Sequence, residues 1–502
     1  GRFNDLVVNS WHGAPGVTSG RGYFQIMPNG GTVMLDSRNL AMDFPGLYSE
    51  PLFYHELFGT LYLDWDSELL RLSSDLMTAR GDEGTATVLF GLDIPLAPSD
   101  IGLEMELMVG LKNSHPIHRV KYVPNVLSQT LRDWLNASIG EGVIEQGAFL
   151  WRGALRRGSG SLRSVQLAFN LRDTSIDYHP LWPPVKVQTG VVLIDDADVS
   201  VWANQADLYA SRIGHLSAET WLGAQGEIML AVDARLQGPA QDGLAVLNDS
   251  PINDLVKGTF QDWSLSGLLE IDLQLQMNLS DNAVPPKVDV ATRWQQVDMG
   301  INPGNLQLQG ISGRFGYSSS SGFSSEGLQG SLWGKPFSAR VSQQATGGAR
   351  GYDPARSLTE VAVATRVQMK DVQDWLQLQS LAFASGETDA QVRVQIAAGE
   401  APLLLVDSEL QGISLDFPSP WAKQAKQVQS FQLQYPLGVP GAAMELRLAP
   451  ELAMHLDLRD GGLYSGELAI NDEAGAMEPG VLRIHGNTKL VHGDQWMKFV
   501  DT

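Results

Sequence analysis

His55-Glu56-Leu57-Phe58-Gly59 opens in the manner of a zinc-protease helix, where two histidines four residues apart hold the metal and the glutamate activates water. The fifth position here is glycine, so the second ligand is missing, and the flanking residues read as strand. His115 and His118 are three apart with Pro116 between them, a loop spacing rather than a ligand pair. Asp195-Asp196-Ala197-Asp198 has the density of a calcium loop, but the sixth position counted from Asp196 is Val201, where such a loop needs glycine for its sharp turn. Asp64 and Asp66 flank Trp65 and share one strand face, yet no second acidic cluster can be set opposite them as a glycosidase requires. The Gly-x-Gly pairs at Gly20/Gly22, Gly140/Gly142 and Gly158/Gly160 lack a third glycine, and Gly334-Lys335 runs into Pro336 rather than a phosphate loop. There is no Gly-x-Ser-x-Gly elbow and no cysteine, which removes disulfides, thiolate metal sites and cysteine nucleophiles together. No catalytic residue, metal ligand or cofactor follows from these motifs.

The elements that carry these residues belong to an acidic chain. It has 502 residues, 35 Lys+Arg against 57 Asp+Glu, and a net charge of −22. That field repels phosphate backbones and argues against nucleic acid as a partner. Charged residues make up only 18% and hydrophobic ones 43%, which is enough for a large apolar interior and excludes wholesale disorder. No apolar run approaches the ~18 residues of a membrane helix; the longest, such as Val191-Val192-Leu193-Ile194, are strand-sized. The start at Gly1-Arg2-Phe3, without Met or a signal-peptide pattern, reads as a fragment or processed product.

The dominant period is two. Apolar and polar residues alternate around Leu61 and Leu63, Leu70 and Leu72, and through Val165, Leu167, Phe169 and Leu171. They do so again at Leu273, Leu275 and Met277, at Leu306 and Leu308, at Val361 and Val363, and at Val392 and Val394. Leu446 and Leu448, then Leu456 and Leu458, complete the series. Such alternation means strands with one dry and one wet face. Gly, Asn, Asp and Pro clusters separate the strands, as antiparallel hairpins require. The Gly/Ser-rich stretch from Gly310 to Gly330 reads as a long hairpin tip, and Gly347 to Gly351 as another loop.

Helical spacing interrupts the pattern once clearly. Leu131, Trp134, Leu135 and Ile139 fall on one helix face between Pro124 and Gly140, which predicts a helix from Ser128 to Ile139. Weaker helix patterns lie at 371–376 and 421–429. The first helix braces the sheet, or plugs, caps or gates one end of it.

A repeat is also visible. Asp43 before Phe44-Pro45, Asp177 before Tyr178, Asp298 ahead of Pro303, and Asp416 before Phe417-Pro418 recur at gaps of 134, 121 and 118 residues. After three of these stops comes an apolar strand containing a glycine, at Gly59, Gly190 and Gly310. Proline cannot donate to a ladder, so these stops mark strands leaving the sheet at a fixed place.

The dry face packs against a second sheet in an ordinary sandwich. In a single curled sheet it lines a trough instead, and composition leaves the two open. The trough reading has an energetic point. Each methylene shielded from water contributes about 0.8 kcal/mol, so two acyl chains of ~15 carbons are worth over ~20 kcal/mol of continuous cover.

At Val123-Pro124-Asn125, with Leu131, Trp134-Leu135 and Ile139, the chain resembles the YhdP branch of the AsmA-like envelope proteins. The likeness continues through Gly147-Ala148-Phe149-Leu150-Trp151-Arg152-Gly153, Trp182-Pro183-Pro184, Leu332-Trp333-Gly334-Lys335-Pro336 and Leu410-Gln411-Gly412-Ile413. It is weaker at Trp421-Ala422-Lys423 and over the last ~40 residues. The resemblance implies a large Gram-negative inner-membrane protein with an N-terminal anchor helix and a periplasmic part shaped as a long curved antiparallel β-groove with a few short helices. It implies phospholipid as the passenger, moved toward the outer membrane, and envelope proteins as partners. It implies no catalytic residues. This chain would then be a slice without the anchor.

The resulting expectations are a mainly β protein with groove segments at 1–120, 151–300, 301–418 and 419–502, and a helix-containing connection at 121–150. The inward aliphatics named above are the candidate groove lining. An aspartate at Leu167 or Leu275 is expected to block lipid occupancy and leave soluble protein. Against this stand a structural or adhesive envelope β-protein with no cargo, and a β-helix-like carbohydrate enzyme that would need an acidic cleft.

Overall fold

The computed structural model describes residues 1–11, 15–100, 102–118, 123–125, 127–155, 163–178, 181–250, 253, 261–281, 283–302, 305–345, 357–376, 382–397, 400–439, 441–459, 462–490 and 492–495. Among these residues 28 strands carry the fold, and the helices are short. The chain divides into two compact units. One is Gly1–Gly238 with Ala245–Leu255 and Leu273–Pro286; the other is Pro239–Leu244 with Val256–Asp272 and Lys287–Thr502.

In the first unit, strands from Arg2–Val8 to Ile228–Pro239 pair antiparallel with their neighbours in the chain. Leu69–Ser74 and Met77–Gly81 together fill one place, between Leu52–Trp65 and Gly84–Pro95. The break falls at Asp75, whose Oδ1 accepts from Thr60 N–H at 2.7 Å. In the second unit antiparallel ladders run from Lys287–Ile301 to Gly462–Ile470, and a parallel pairing with Leu482–Gly486 follows. The Gly/Ser stretch forms most of the hairpin Leu306–Ser318 with Gly322–Leu332, and only the turn at 319–321 is its tip. The loop expected at Gly347 to Gly351 and the pair Gly158/Gly160 lie outside the described residues.

Helix α1, Gln129–Ser138, starts where its signal predicts: Ser128 caps it, its Oγ accepting from Leu131 N–H at 3.2 Å. Helices α2, Ala240–Asn248, and α3, Met369–Leu376, complete a pattern along the chain. Six strands lie between α1 and α2 and six between α2 and α3 among the described residues. Counting the broken strand once, six also run from Gly16–Met27 to α1. The sequence repeat falls in register with this period. Asp43 ends the second strand of the first six, Asp177 follows the second strand of the next, and Asp298 lies near the end of the second strand after α2. Asp416 follows Ile413–Leu415, which with Leu403–Ser408 forms a broken second strand against Ala384–Ala397. The repeated glycines sit where the third strand is irregular. Pairing passes from one half of the broken strand to the other around Gly59, and the register shifts beside Gly190 and Gly310. Only Gly310 needs a left-handed backbone, at φ 62°.

α1 ties two second-strand exits together. Asn125 N–H, just ahead of it, donates to Leu47 C=O at 2.6 Å, while Asp177 N–H donates to Ser138 C=O at 2.7 Å. Trp134 Nε1–H reaches Tyr178 C=O at 3.2 Å.

The helix expected at 421–429 does not form. Lys423 is buried instead, with Nζ donating to the carbonyls of Leu410 at 2.6 Å and Ile413 at 2.8 Å, and its backbone bridges Leu415. An ammonium that must find carbonyls in the interior overrides a weak helical period. α2 was not expected; Pro239 ahead of Ala240 and the spacing of Ala240, Leu244 and Leu247 were its signal.

Candidate functional site

The residues with chemical potential are dispersed on the wet side. His55 is exposed on Leu52–Trp65 and pairs with Asp82 at 2.6 Å. His115 Nδ1 meets Gly142 C=O at 3.1 Å, and His118 ends a 3₁₀ turn. Asp195 ends the strand Val185–Asp195, and Asp196 in the turn after it accepts from Val165 N–H at 2.7 Å. Asp64 opposes Arg71, while Asp66 accepts from the N–H groups of Glu68 and Leu69, which hold its carboxyl below the usual range. Among the described residues no three His, Asp or Glu side chains gather as a metal site.

What the ladders assemble is the dry face. In the first unit one row runs Val88, Val109, Phe149, Leu167, Ile194 and Val199, each opposite the next. Its centre is closed: Phe149 is 8% exposed, Leu167 4% and Ile194 0%. Val165 opposes Trp151 and is buried; Leu171, opposite Ile144, is buried too. Phe169, opposite Val192, is half-buried. α1 and the turn at 44–48 belong to the same packed cluster through Leu127, Leu135, Leu47 and Tyr48. Burial raises the Tyr48 phenol pKa above its ordinary value. Toward the first strands the cover thins. Leu61 opposes Val33, Leu63 opposes Leu72, and Leu70 opposes Trp65 and Ile94, all half-buried.

The second unit presents a longer and more open row. Leu328, Ala339, Val363, Val392, Val406, Leu433, Leu446, Met454 and Leu468 oppose one another in turn across nine strands. Leu328 is buried; the other eight are half-buried. At ~4.8 Å per strand the row extends about 38 Å along the ladder. A second row, Val341, Val361, Val394, Leu404 and Tyr435, runs beside it. Leu308 opposes Met299 and Leu332, and Leu306 opposes Ile301. Leu448 is buried against Phe431 and Leu452, and Leu456 opposes Met444. Leu458 lies on Leu452–Arg459, with its side chain outside the described residues. Leu273, Leu275 and Met277 alternate half-buried with exposed Asp272, Gln274 and Gln276 on Ser264–Asn278. The wet face of the second unit carries ion pairs, including Arg393 with Asp407 at 2.8 Å and Lys335 with Glu387 at 2.9 Å.

The model of the family described as YhdP protein matches residues 1–502. The chain belongs to the YhdP family. A curated relative, the intermembrane phospholipid transporter YhdP of Escherichia coli (strain K12), is 21% identical over 444 residues, covering 84% of this chain. The match takes in 33% of that protein, so this YhdP-family chain spans about a third of the length of the relative. No solved structure matches it. Among the described residues of this YhdP-family chain no helix is long and apolar enough to cross a membrane.

Proposed function

We propose that this chain is a non-enzymatic stretch of a phospholipid conduit, its dry face forming a groove that shields acyl chains between the inner and outer membranes. The observation that carries this reading is the row of eight half-buried aliphatics in the second unit. A protein core closes such residues almost completely, and a wet surface does not line them up across consecutive strands. A row left half-covered over about 34 Å is suited to an apolar passenger that completes its burial. The relative named as an intermembrane phospholipid transporter supports phospholipid as that passenger. In this reading the chain works in the periplasm, the longer protein is anchored in the inner membrane by an N-terminal segment, and envelope proteins meet its ends. Its modules are the six-strand repeats. The candidate lining is Leu61, Leu63, Leu70, Leu72, Leu273, Leu275, Met277, Leu306, Leu308, Val361, Val363, Val392, Val394, Leu446 and Leu456, with Val165, Leu167, Phe169, Leu171 and Leu448 as the floor beneath it.

The test is direct. The purified chain is extracted with organic solvent, and the extract is weighed by mass spectrometry. Stoichiometric phospholipid is the expected result; none, together with no uptake of a fluorescent phospholipid, overturns the reading. That second outcome favours a structural or adhesive envelope β-protein, for which the closed row around Leu167 is the supporting observation.

A further inference from the structure

At one end of the first unit's dry face, two groups that can only donate hydrogen bonds stand together, each with a buried N–H that has no acceptor. Trp151, on Val143–Ala154, is 2% exposed, and its indole Nε1 is buried with no partner. Arg163, the residue before Ser164–Ile176, places its guanidinium 5.9 Å from the Trp151 ring centroid. Its Nη2 is also buried and unpartnered, and among the described residues Arg163 makes no ion pair. Indole N–H and guanidinium have no acceptor atoms, so neither can satisfy the other. Buried donors are paired in nearly all native structures, and a shared orphan pair signals an acceptor that belongs there. The cation–π contact holds the positive charge in place but leaves the buried Nη2 unspent.

The surroundings define the acceptor. Trp151 opposes Leu107 and Val165 in the ladder, which are apolar and buried. At the same end of the neighbouring strands Trp65, Leu70 and Ile94 oppose one another and are half-buried. A ligand placed here therefore has an anionic or strongly accepting group beside a guanidinium and an apolar part along a partly open aliphatic shoulder. We infer that Arg163 and Trp151 receive the phosphate group of a phospholipid whose acyl chains lie toward Trp65, Leu70 and Ile94. This rests on the conduit reading and adds to it a headgroup site: a guanidinium fork matches two phosphate oxygens, and the indole N–H takes a third acceptor.

The experiment offers the chain phosphatidylglycerol and diacylglycerol with identical acyl chains, from mixed vesicles, and measures retained lipid by mass spectrometry. The wild type is expected to prefer phosphatidylglycerol. R163Q is expected to lose about tenfold of that preference, the scale of one charge-assisted hydrogen bond, while holding diacylglycerol as before. R163K should fall between the two, and W151F, which keeps the ring and removes only the N–H, should lose a smaller share. Melting followed by circular dichroism identifies the variants that remain folded, and W151F carries the test if R163Q does not. Unchanged preference in folded R163Q, or in folded W151F if R163Q is unfolded, overturns the site but not the conduit. A wild type that retains neither lipid overturns the conduit and this inference with it. Inorganic phosphate is the remaining arm: if it alone perturbs the fluorescence that W151F removes, and phosphatidylglycerol does not, the acceptor is free phosphate and the inference falls.

Discussion

Leu167 and Val392 occupy the same kind of place, an inward aliphatic in the middle of an antiparallel ladder. Leu167 is 4% exposed, within a cluster that includes α1 and the turn at 44–48. Val392 is half-buried in a row that continues through Val406, Leu433 and Leu446 with the same partial cover. The difference shows that one strand pattern supports two tasks. Where helix and turn fold over the dry face, it is a core that holds the protein together. At Val392, Val406, Leu433 and Leu446, which belong to none of the described core clusters, the same pattern stays half-covered.

Charge insertion should separate the two tasks most sharply. Leu167→Asp leaves an unpaired carboxylate in the closed row and is expected to destabilise the first unit by more than about 4 kcal/mol, read by urea unfolding. A folded, stable L167D would erase the distinction. Truncation gives the same contrast without charge: Leu167→Ala should cost about 3 kcal/mol, and Val392→Ala less than half of that. Equal losses would mean that the two rows are equally core. Val392→Asp in the open row, and Leu275→Asp on Ser264–Asn278, should each leave a folded protein and reduce retained phospholipid about tenfold, the equivalent of uncovering two methylenes. Normal lipid content in V392D would remove that row from the groove.

Smaller effects refine the picture. Trp134→Phe removes the hydrogen bond to Tyr178 C=O and should cost about 1 kcal/mol, confined to the first unit. Glu387 in the second unit is held below the ordinary carboxylate pKa, first by its hydrogen bond from Lys335 and then by Arg366. A carboxyl lowered by folding adds stability above its unfolded pKa of 4.5, and that stability is lost as pH falls through the folded value. Glu387→Gln should therefore flatten the acid limb of the second unit's stability below about pH 4.5 and leave the first unit's unchanged, which domain-resolved hydrogen exchange can follow.

Much of this was legible in the residues. Alternation through Val165, Leu167 and Phe169 gave the strand and its inward side, because side-chain direction in a strand has a period of two. The Asp repeat found the second strand of each six, since a strand that must leave the sheet needs a stop that cannot continue the ladder. Ser128 found the start of α1. Burial depth was not legible: Leu167 and Leu275 share one pattern, and period two says which side a residue faces but not what lies over that side. For the same reason the expectation that aspartate at Leu167 would leave soluble protein is replaced by destabilisation. The helix expected at 421–429 failed because a single buried ammonium, Lys423, set the local path. Arg163 and Trp151 were invisible as a pair, since nothing in the spacing of 151 and 163 foretells a guanidinium over an indole.

A period of six strands and one helix has an evolutionary consequence. Each copy contributes about 29 Å of ladder, close to the thickness of a bilayer's hydrocarbon layer. Reach can therefore be adjusted by duplicating or deleting whole modules, without redesigning any of them.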